Sequence, residues 1–393
     1  MSVVDVVLLV AAVLFAITGW RRGLVYGLLS LVGFLTGAAV GLWLAPKVVD
    51  SWDDGLPKAL IALLLVFLCA GIGQALVGMV GRKLQGAVTW GPLVKLNNVG
   101  GAVLSVFTML LVVWFLAGIY ATGNSSSLAR DVRQSQVLGA FDSMMPFESY
   151  IVGGQIESMY NNTGFPTVFS GIGPEPIASI AAPDARIIRQ EGVVKAAAQT
   201  VKILGDGRAC NLGLEGSGFA IAPGRVLTNA HVVAGTDSLQ VVTAEDGHAY
   251  KAKLVYFDPD MDLAVLDVPD LPVDPLNFAA GADRGESAAV LGYPENGGLQ
   301  ATPARVRNQL TAPGRDIYGE GTVVREVLSL RADVRPGNSG GPVVNKDGEV
   351  IGVVFAASVD RDDTGYAMTS RQVAGAVDEG LSARQGVSSG ACT

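Results

Sequence analysis

The stretch Pro336-Gly337-Asn338-Ser339-Gly340-Gly341-Pro342 sets one serine among small residues, with glycines on both sides. Such flanks let a backbone fold tightly and aim two N–H groups at one point. A serine hydroxyl is a poor nucleophile at neutral pH, so the loop carries chemistry only if a base comes from elsewhere. Two upstream stretches offer the partners. Val226-Leu227-Thr228-Asn229-Ala230-His231-Val232-Val233 reads as a strand ending in a turn that presents a histidine. Asp258-Pro259-Asp260-Met261-Asp262-Leu263-Ala264-Val265-Leu266 puts a carboxylate directly before an apolar strand, where it can be anchored and partly buried. The expected roles are Ser339 as nucleophile, His231 as base, Asp262 as the acid orienting it, and the Gly337 and Ser339 N–H groups as oxyanion donors. Asp258, Asp260 and Asp262 crowd together, and Asp260 is the rival for the acid. The other histidine, His248, follows Asp246-Gly247 and reads as a hairpin-turn residue.

Outward from these motifs, the sequence after Val193 breaks into short β-type runs. Among them are Thr200-Val201-Lys202-Ile203-Leu204, Ser217-Gly218-Phe219-Ala220-Ile221 and Val350-Ile351-Gly352-Val353-Val354. Many short strands separated by turns predict an all-β domain over 191–393, with room for two small barrels. Asp333, shortly before the serine, has two readings. It is either a surface residue paired with Arg331 or Arg335 or, by its resemblance to trypsin-like enzymes, the floor of a specificity pocket favouring Arg or Lys.

The first third is of another kind. Half of the 393 residues are hydrophobic and 16% are charged, against about 25% in a soluble protein. Apolar runs at 4–20, 24–45, 59–80 and 99–120 each approach the ~20 residues a membrane-spanning helix needs. Arg21 and Arg22 follow the first run, and Arg82, Lys83 and Lys95 lie between the third and fourth. Asp50, Asp53 and Asp54 lie between the second and third, beside Lys47 and Lys58. The positive-inside rule then predicts four spans with both termini, and the β domain, on the extracytoplasmic side. The spans hold almost no ionisable residues, which argues against a transport pathway. Gly33, Gly37 and Gly41 form a stripe that admits another helix closely, either within the chain or from a second copy. The net charge of −8 argues against a nucleic-acid partner.

Residues 122–190 read as a connecting segment, with an exposed linker over roughly 165–190. Leu138, Phe141, Met144 and Met145 are expected to form one face of a short amphipathic helix on the membrane surface. Exposed linkers are sites of nicking, so cleavage of this one by the enzyme itself is expected. Of three cysteines, Cys69 reads as a small buried hydrophobe. Cys210 and Cys392 flank the β domain and are expected to pair outside the cytoplasm. Closing so long a loop contributes about 4–5 kcal/mol in the chain-entropy model.

The motifs T-N-A-H-V-V, D-L-A-V-L and G-N-S-G-G-P, in that order, resemble the trypsin-like proteases of the HtrA/Deg group. Asp5, the turn around Gly19-Trp20-Arg21-Arg22-Gly23 and the glycine-rich second run resemble the CvpA (colicin V production) membrane family over roughly 1–160. The two joined are similar to actinobacterial envelope proteases. The resemblance implies a chymotrypsin-like double β-barrel behind a four-helix membrane domain, with endopeptidase activity on envelope proteins. It also implies no metal or organic cofactor, and a role in tolerating envelope stress such as acid. HtrA proteins continue into PDZ domains; none is expected after Gly365-Tyr366-Ala367-Met368.

Overall fold

The computed structural model describes residues 2–49, 56–86, 90–121, 126–145, 168–169, 174–207 and 212–392. Asp50, Asp53, Asp54 and Cys210, all used above, lie outside the described residues. The chain forms two compact units: 1–117 with 135–144, and 118–134 with 145–393.

The first unit contains α1 (Val3–Arg22), α2 (Leu24–Val49), α3 (Leu56–Gln85) and most of α4 (Gly91–Ala121). Each includes a stretch long and apolar enough to cross a membrane: Val3–Arg22, Leu24–Val48, Leu64–Gln85 and Gly91–Gly118. Ser2 and Asp5 close a capping box at the start of α1. Asp5 is fully buried and also accepts from the Ser135 hydroxyl at 2.6 Å and the Val137 N–H at 3.2 Å.

The glycine stripe of α2 packs against α3 of the same chain. A Cβ on Gly33 would stand 2.4 Å from the Gly73 carbonyl oxygen, and one on Gly37 would stand 2.3 Å from that of Cys69. This face is therefore filled from within, where the sequence left self-association open. Gly37→Val should force the two backbones apart and cost about 1–3 kcal/mol. Gly71→Ala, with nothing within 4 Å of its added carbon, should be neutral. Thermal unfolding of the detergent-solubilised chain reads the difference; equal midpoints would contradict this packing.

The short helix α6 (Gln136–Asp142), preceded by α5 (Ser127–Arg133), corrects the expectation of a surface-lying amphipathic helix. Leu138 and Phe141 are buried. Phe141 lies 5.6 Å from the Phe107 ring and 6.3 Å from Trp114, whose indole N–H donates to Asp142 at 2.6 Å. Its apolar face is spent on α4, while Met144 stays exposed.

The second unit carries two closed six-stranded barrels. The first runs β1 (Thr200–Gly207), β2 (Leu212–Ala222), β3 (Arg225–Thr228), β6 (Leu263–Asp267), β5 (Ala249–Asp258) and β4 (Ser238–Val242). The second runs β10 (Pro342–Val344), β11 (Val350–Ala357), β12 (Thr364–Thr369), β9 (Thr322–Arg331), β8 (Gln300–Arg315) and β7 (Ser287–Gly292). Closure leaves no free sheet edge. β3 pairs with β2 on one side and β6 on the other, and all four of its residues are buried. Each barrel has its own core, Val201, Ile203, Val226 and Leu266 in the first, and Val290, Val306, Leu330 and Ile351 in the second. A third cluster joins Phe219, Leu227 and Val265 of the first barrel to Leu291, Val353 and Phe355 of the second. α7 (Glu191–Ala198) and α9 (Ser370–Ser382) add Val193 and Val373 to it.

The loose composition before α7 does not make a loose segment. Residues 174–184 lie without helix or strand along the second barrel, gripped through their backbone by arginines. The carbonyls of Ala178, Ser179, Ile180 and Ala182 accept from Arg307 (2.8 Å), Arg284 (3.1 Å), Arg331 (2.9 Å) and Arg305 (3.0 Å) respectively. At the head of this strap the Glu175 carboxyl accepts from the Ser358 hydroxyl, the Tyr366 hydroxyl at 2.9 Å and the Val359 N–H at 3.3 Å. Arg133, almost fully buried, binds the same hairpin through Asp360 at 2.7 Å and the Val359 carbonyl at 3.0 Å.

Burial pushes the Glu175 carboxyl above its usual range, and the Asp360 charge adds to the push. An acid whose folded value is raised binds more protons folded than unfolded. Its stabilising effect is complete below the ordinary glutamate value and is lost as pH rises from there through the raised value. Glu175→Gln should flatten this part of the stability profile, leaving the wild type with the steeper loss on alkalinisation. Midpoints measured across that window check it; parallel profiles would count against it.

Candidate active site

His231 sits on a single helical turn, α8 (Ala230–Val233), directly after β3; Asp262 precedes β6, the strand paired with β3. Adjacent strands thus deliver base and acid together. Asp262 is fully buried. Its carboxylate lies 2.8 and 2.9 Å from His231 Nδ1 and accepts the His231 backbone N–H at 2.9 Å. The Asp262 carbonyl accepts from the Asn229 side chain at 2.7 Å. Asp262 adopts a left-handed backbone, φ 58°, a conformation aspartate tolerates better than most residues.

The three crowded aspartates separate cleanly. Asp258 caps the turn, accepting the N–H groups of Asp260 (3.0 Å) and Met261 (2.9 Å). Asp260 is exposed, and its carbonyl accepts from the Arg325 guanidinium. Only Asp262, of the three, reaches the imidazole. Arg325 was not singled out in the sequence. It is 1% exposed on β9 and fastens the aspartate turn to the second barrel. Burial pulls its guanidinium down and the Asp262 charge opposes that; arginine stays charged under such opposition. Only a buried arginine contacting a distant carbonyl betrays this role, which no local motif encodes.

Ser339 lies in the loop before β10 and is 2% exposed. Four consecutive peptide groups around it show an alternation. The carbonyls of Pro336, Gly337, Asn338 and Ser339 accept from the Glu295 N–H (2.8 Å), the Ser217 hydroxyl (2.6 Å), the Gly341 N–H (2.9 Å) and the Ser217 N–H (2.8 Å). The N–H groups of Asn338 and Gly340 donate to the carbonyls of Arg335 (3.0 Å) and Val354 (2.8 Å). Those of Gly337 and Ser339 donate to nothing among the described residues. In a trans peptide the N–H points away from its own C=O, so holding the Pro336 and Asn338 carbonyls also fixes these two N–H groups. Gly337 has φ 93°, and a Cβ there would meet the Tyr293 carbonyl oxygen at 2.3 Å. Glycine is required on both counts.

Ser339 Oγ and His231 Nε2 are both buried, and neither has a hydrogen-bond partner among the described residues. Nucleophile–base bonds are often long before substrate arrives. Asp333 is 55% exposed and pairs with Arg335 at 2.7 Å, so it stands at the surface as an ion pair and not at the base of a pocket. Val334 is the inward neighbour, against which a Cβ on Gly365 would come to 2.3 Å. His248 is exposed beside Tyr250 in the β4–β5 turn.

Comparison with known proteins agrees with both halves of the chain. The trypsin-like peptidase domain family matches residues 216–353, and the colicin V production protein family matches 4–146. Serine protease Rv3671c of Mycobacterium tuberculosis is 36% identical over 99% of this chain and 98% of its own length. A probable periplasmic serine endoprotease DegP-like from Chlamydia pneumoniae is 34% identical over 42% of this chain and 34% of its own. The crystal structure of the Rv3671c protease, active form, superposes with a TM-score of 0.54 at 42% identity, covering 57% of this chain and 99% of that one. With a CvpA-like helical domain followed by a trypsin-like double barrel along the same full length, the chain belongs to the family of membrane-associated serine proteases that includes Rv3671c (MarP).

Proposed function

We propose that this chain is an extracytoplasmic endopeptidase, anchored by four spans in the inner membrane, that cleaves cell-envelope proteins through a Ser339–His231–Asp262 acyl-enzyme mechanism. The observation that carries the reading is the His231–Asp262 pair beside a serine loop with two N–H groups left unspent. His231 Nε2 takes the proton as Ser339 Oγ attacks the scissile carbonyl. Asp262 fixes the Nδ1–H tautomer and stabilises the imidazolium. The Gly337 and Ser339 N–H groups receive the developing oxyanion. The imidazolium then protonates the leaving amine, and water attacks the acyl-enzyme under the same base.

The test is labelling of the membrane-embedded chain with a fluorophosphonate. Wild type should be labelled, and Ser339→Ala and His231→Ala should not. Labelling that survives Ser339→Ala would remove the assignment.

Orientation rests on Arg21, Arg22, Arg82, Lys83 and Lys95, which gather at the helix ends around the first and third connections, the side the positive-inside rule assigns to the cytoplasm. Protease shaving of intact spheroplasts should then digest the catalytic barrels. Self-association through Gly33, Gly37 and Gly41 is not part of the reading, because α3 fills that face. A Cys210–Cys392 disulfide is part of it. Cys69 is free, which leaves Cys210 and Cys392 as the cysteines able to pair. Non-reducing peptide mapping should recover the two joined. A role in acid and envelope stress follows from the family resemblance, and self-cleavage of the linker from its composition. Poorer survival of a Ser339→Ala strain at low pH tests the first. For the second, the wild type should yield a smaller catalytic fragment than Ser339→Ala on a membrane blot.

A further inference from the structure

We propose that Ser217, together with the turn Tyr293-Pro294-Glu295-Asn296, is the positioning element that presets the oxyanion donors of Ser339's loop; the inference rests on the proposed function of that site. Ser217 is fully buried on β2 of the first barrel, whereas the serine loop belongs to the second. It spends every polar atom. Its N–H donates to the Ser339 carbonyl at 2.8 Å, and its hydroxyl donates to the Gly337 carbonyl at 2.6 Å and accepts the Tyr293 N–H at 2.9 Å. Its own carbonyl accepts from the Thr228 hydroxyl at 2.7 Å. One side chain therefore ties the serine loop to the turn that holds the loop's other end.

The turn is built for one contact. Glu295 and Asn296 both take left-handed backbone, φ 53° and 57°, a conformation that non-glycine residues hold only when their surroundings enforce it. The enforcement is visible. Lys202 binds the Asn296 carbonyl at 3.1 Å and its side-chain oxygen. Tyr293 is buried, with its hydroxyl donating to the Thr200 carbonyl at 3.3 Å. The result is that the Glu295 N–H points at the Pro336 carbonyl, 2.8 Å away. Were that carbonyl free to rotate inward, it would present an oxygen where the Gly337 N–H must meet an oxyanion. The Glu295 side chain is 65% exposed and reaches only Arg335, at 3.5 Å. The backbone N–H is thus the working group.

Transition-state charge is what such preset donors stabilise, while ground-state binding is not. Ser217→Ala in the full-length, detergent-solubilised enzyme should lower kcat roughly 10²-fold, with KM within about twofold. Affinity for a peptide aldehyde, which forms the oxyanion, should fall in parallel with kcat/KM. Glu295→Gly keeps the N–H, accepts the φ, and should leave kcat near wild type; Glu295→Pro removes the N–H and the left-handed φ together and should lose at least as much as Ser217→Ala. A change in KM alone, aldehyde affinity unchanged in Ser217→Ala, or equal losses in Glu295→Gly and Glu295→Pro would each overturn the proposal. If Ser217→Ala does not fold, the two Glu295 variants decide. Fluorophosphonate labelling of the wild type separates this outcome from failure of the site itself.

Discussion

Replacing Ser339 by alanine is expected to lower kcat by roughly 10⁴–10⁶-fold while leaving the fold intact. Ser339 is 2% exposed, and its buried Oγ is hydrogen-bonded to nothing among the described residues. Its removal therefore strands no partner. The loop around it is held by its backbone, through Ser217, Gly341, Val354 and Glu295, and alanine preserves every one of those contacts. Thermal midpoints of variant and wild type should agree within a few degrees. A large drop in midpoint would mean that the hydroxyl is structural, and would weaken its reading as nucleophile. Residual turnover above background is expected from the two N–H donors, which do not depend on the serine side chain.

The second large effect belongs to the acid. Asp262→Asn should cost about 10⁴-fold in kcat. The carboxylate accepts from two His231 groups at once, the ring Nδ1–H and the backbone N–H. With the amide oxygen placed to accept the backbone N–H, the amide NH2 takes the place 2.8 Å from Nδ1 and turns a donor toward it, which favours the wrong imidazole tautomer. Asp260→Asn should change kcat less than about twofold, because surface substitutions without buried partners are nearly silent. Comparing the two variants with one peptide substrate decides between Asp262, which the sequence favoured, and its rival Asp260. Equal losses would shift the acid's role from the imidazole contact to the turn as a whole.

That pair of aspartates marks where sequence reading stops. Motif spacing identified the three catalytic candidates and the four spans, because each is a local pattern: small residues around a serine, a carboxylate before an apolar strand, or a long apolar run. Which aspartate faces the imidazole depends on a positive φ at Asp262 and on Arg325 fastening the Asp260 carbonyl from the other barrel. Neither is written in the neighbouring letters. The same holds for Ser217, whose partners at 293, 337 and 339 are distant in sequence. Asp333 carried two readings, a pocket floor or a surface ion pair, and Arg335, two residues on, holds its carboxylate at the surface as the second reading has it. The α2 stripe was read correctly as a close-approach face, but only three-dimensional packing could choose α3 over a second copy.

The arginine-gripped strap has a consequence for how this chain tolerates change. Four guanidinium groups meet carbonyl oxygens at 178, 179, 180 and 182 and ask nothing of the side chains there. Every residue type except one that distorts the backbone offers the same oxygen, so the lettering of the strap can drift. Its length cannot. Deleting one residue between Glu175 and Ala178 would draw the glutamate back by about 3.3 Å, out of reach of Ser358 and Tyr366. The strap acts as a ruler: insertions and deletions within it should be far more damaging than substitutions.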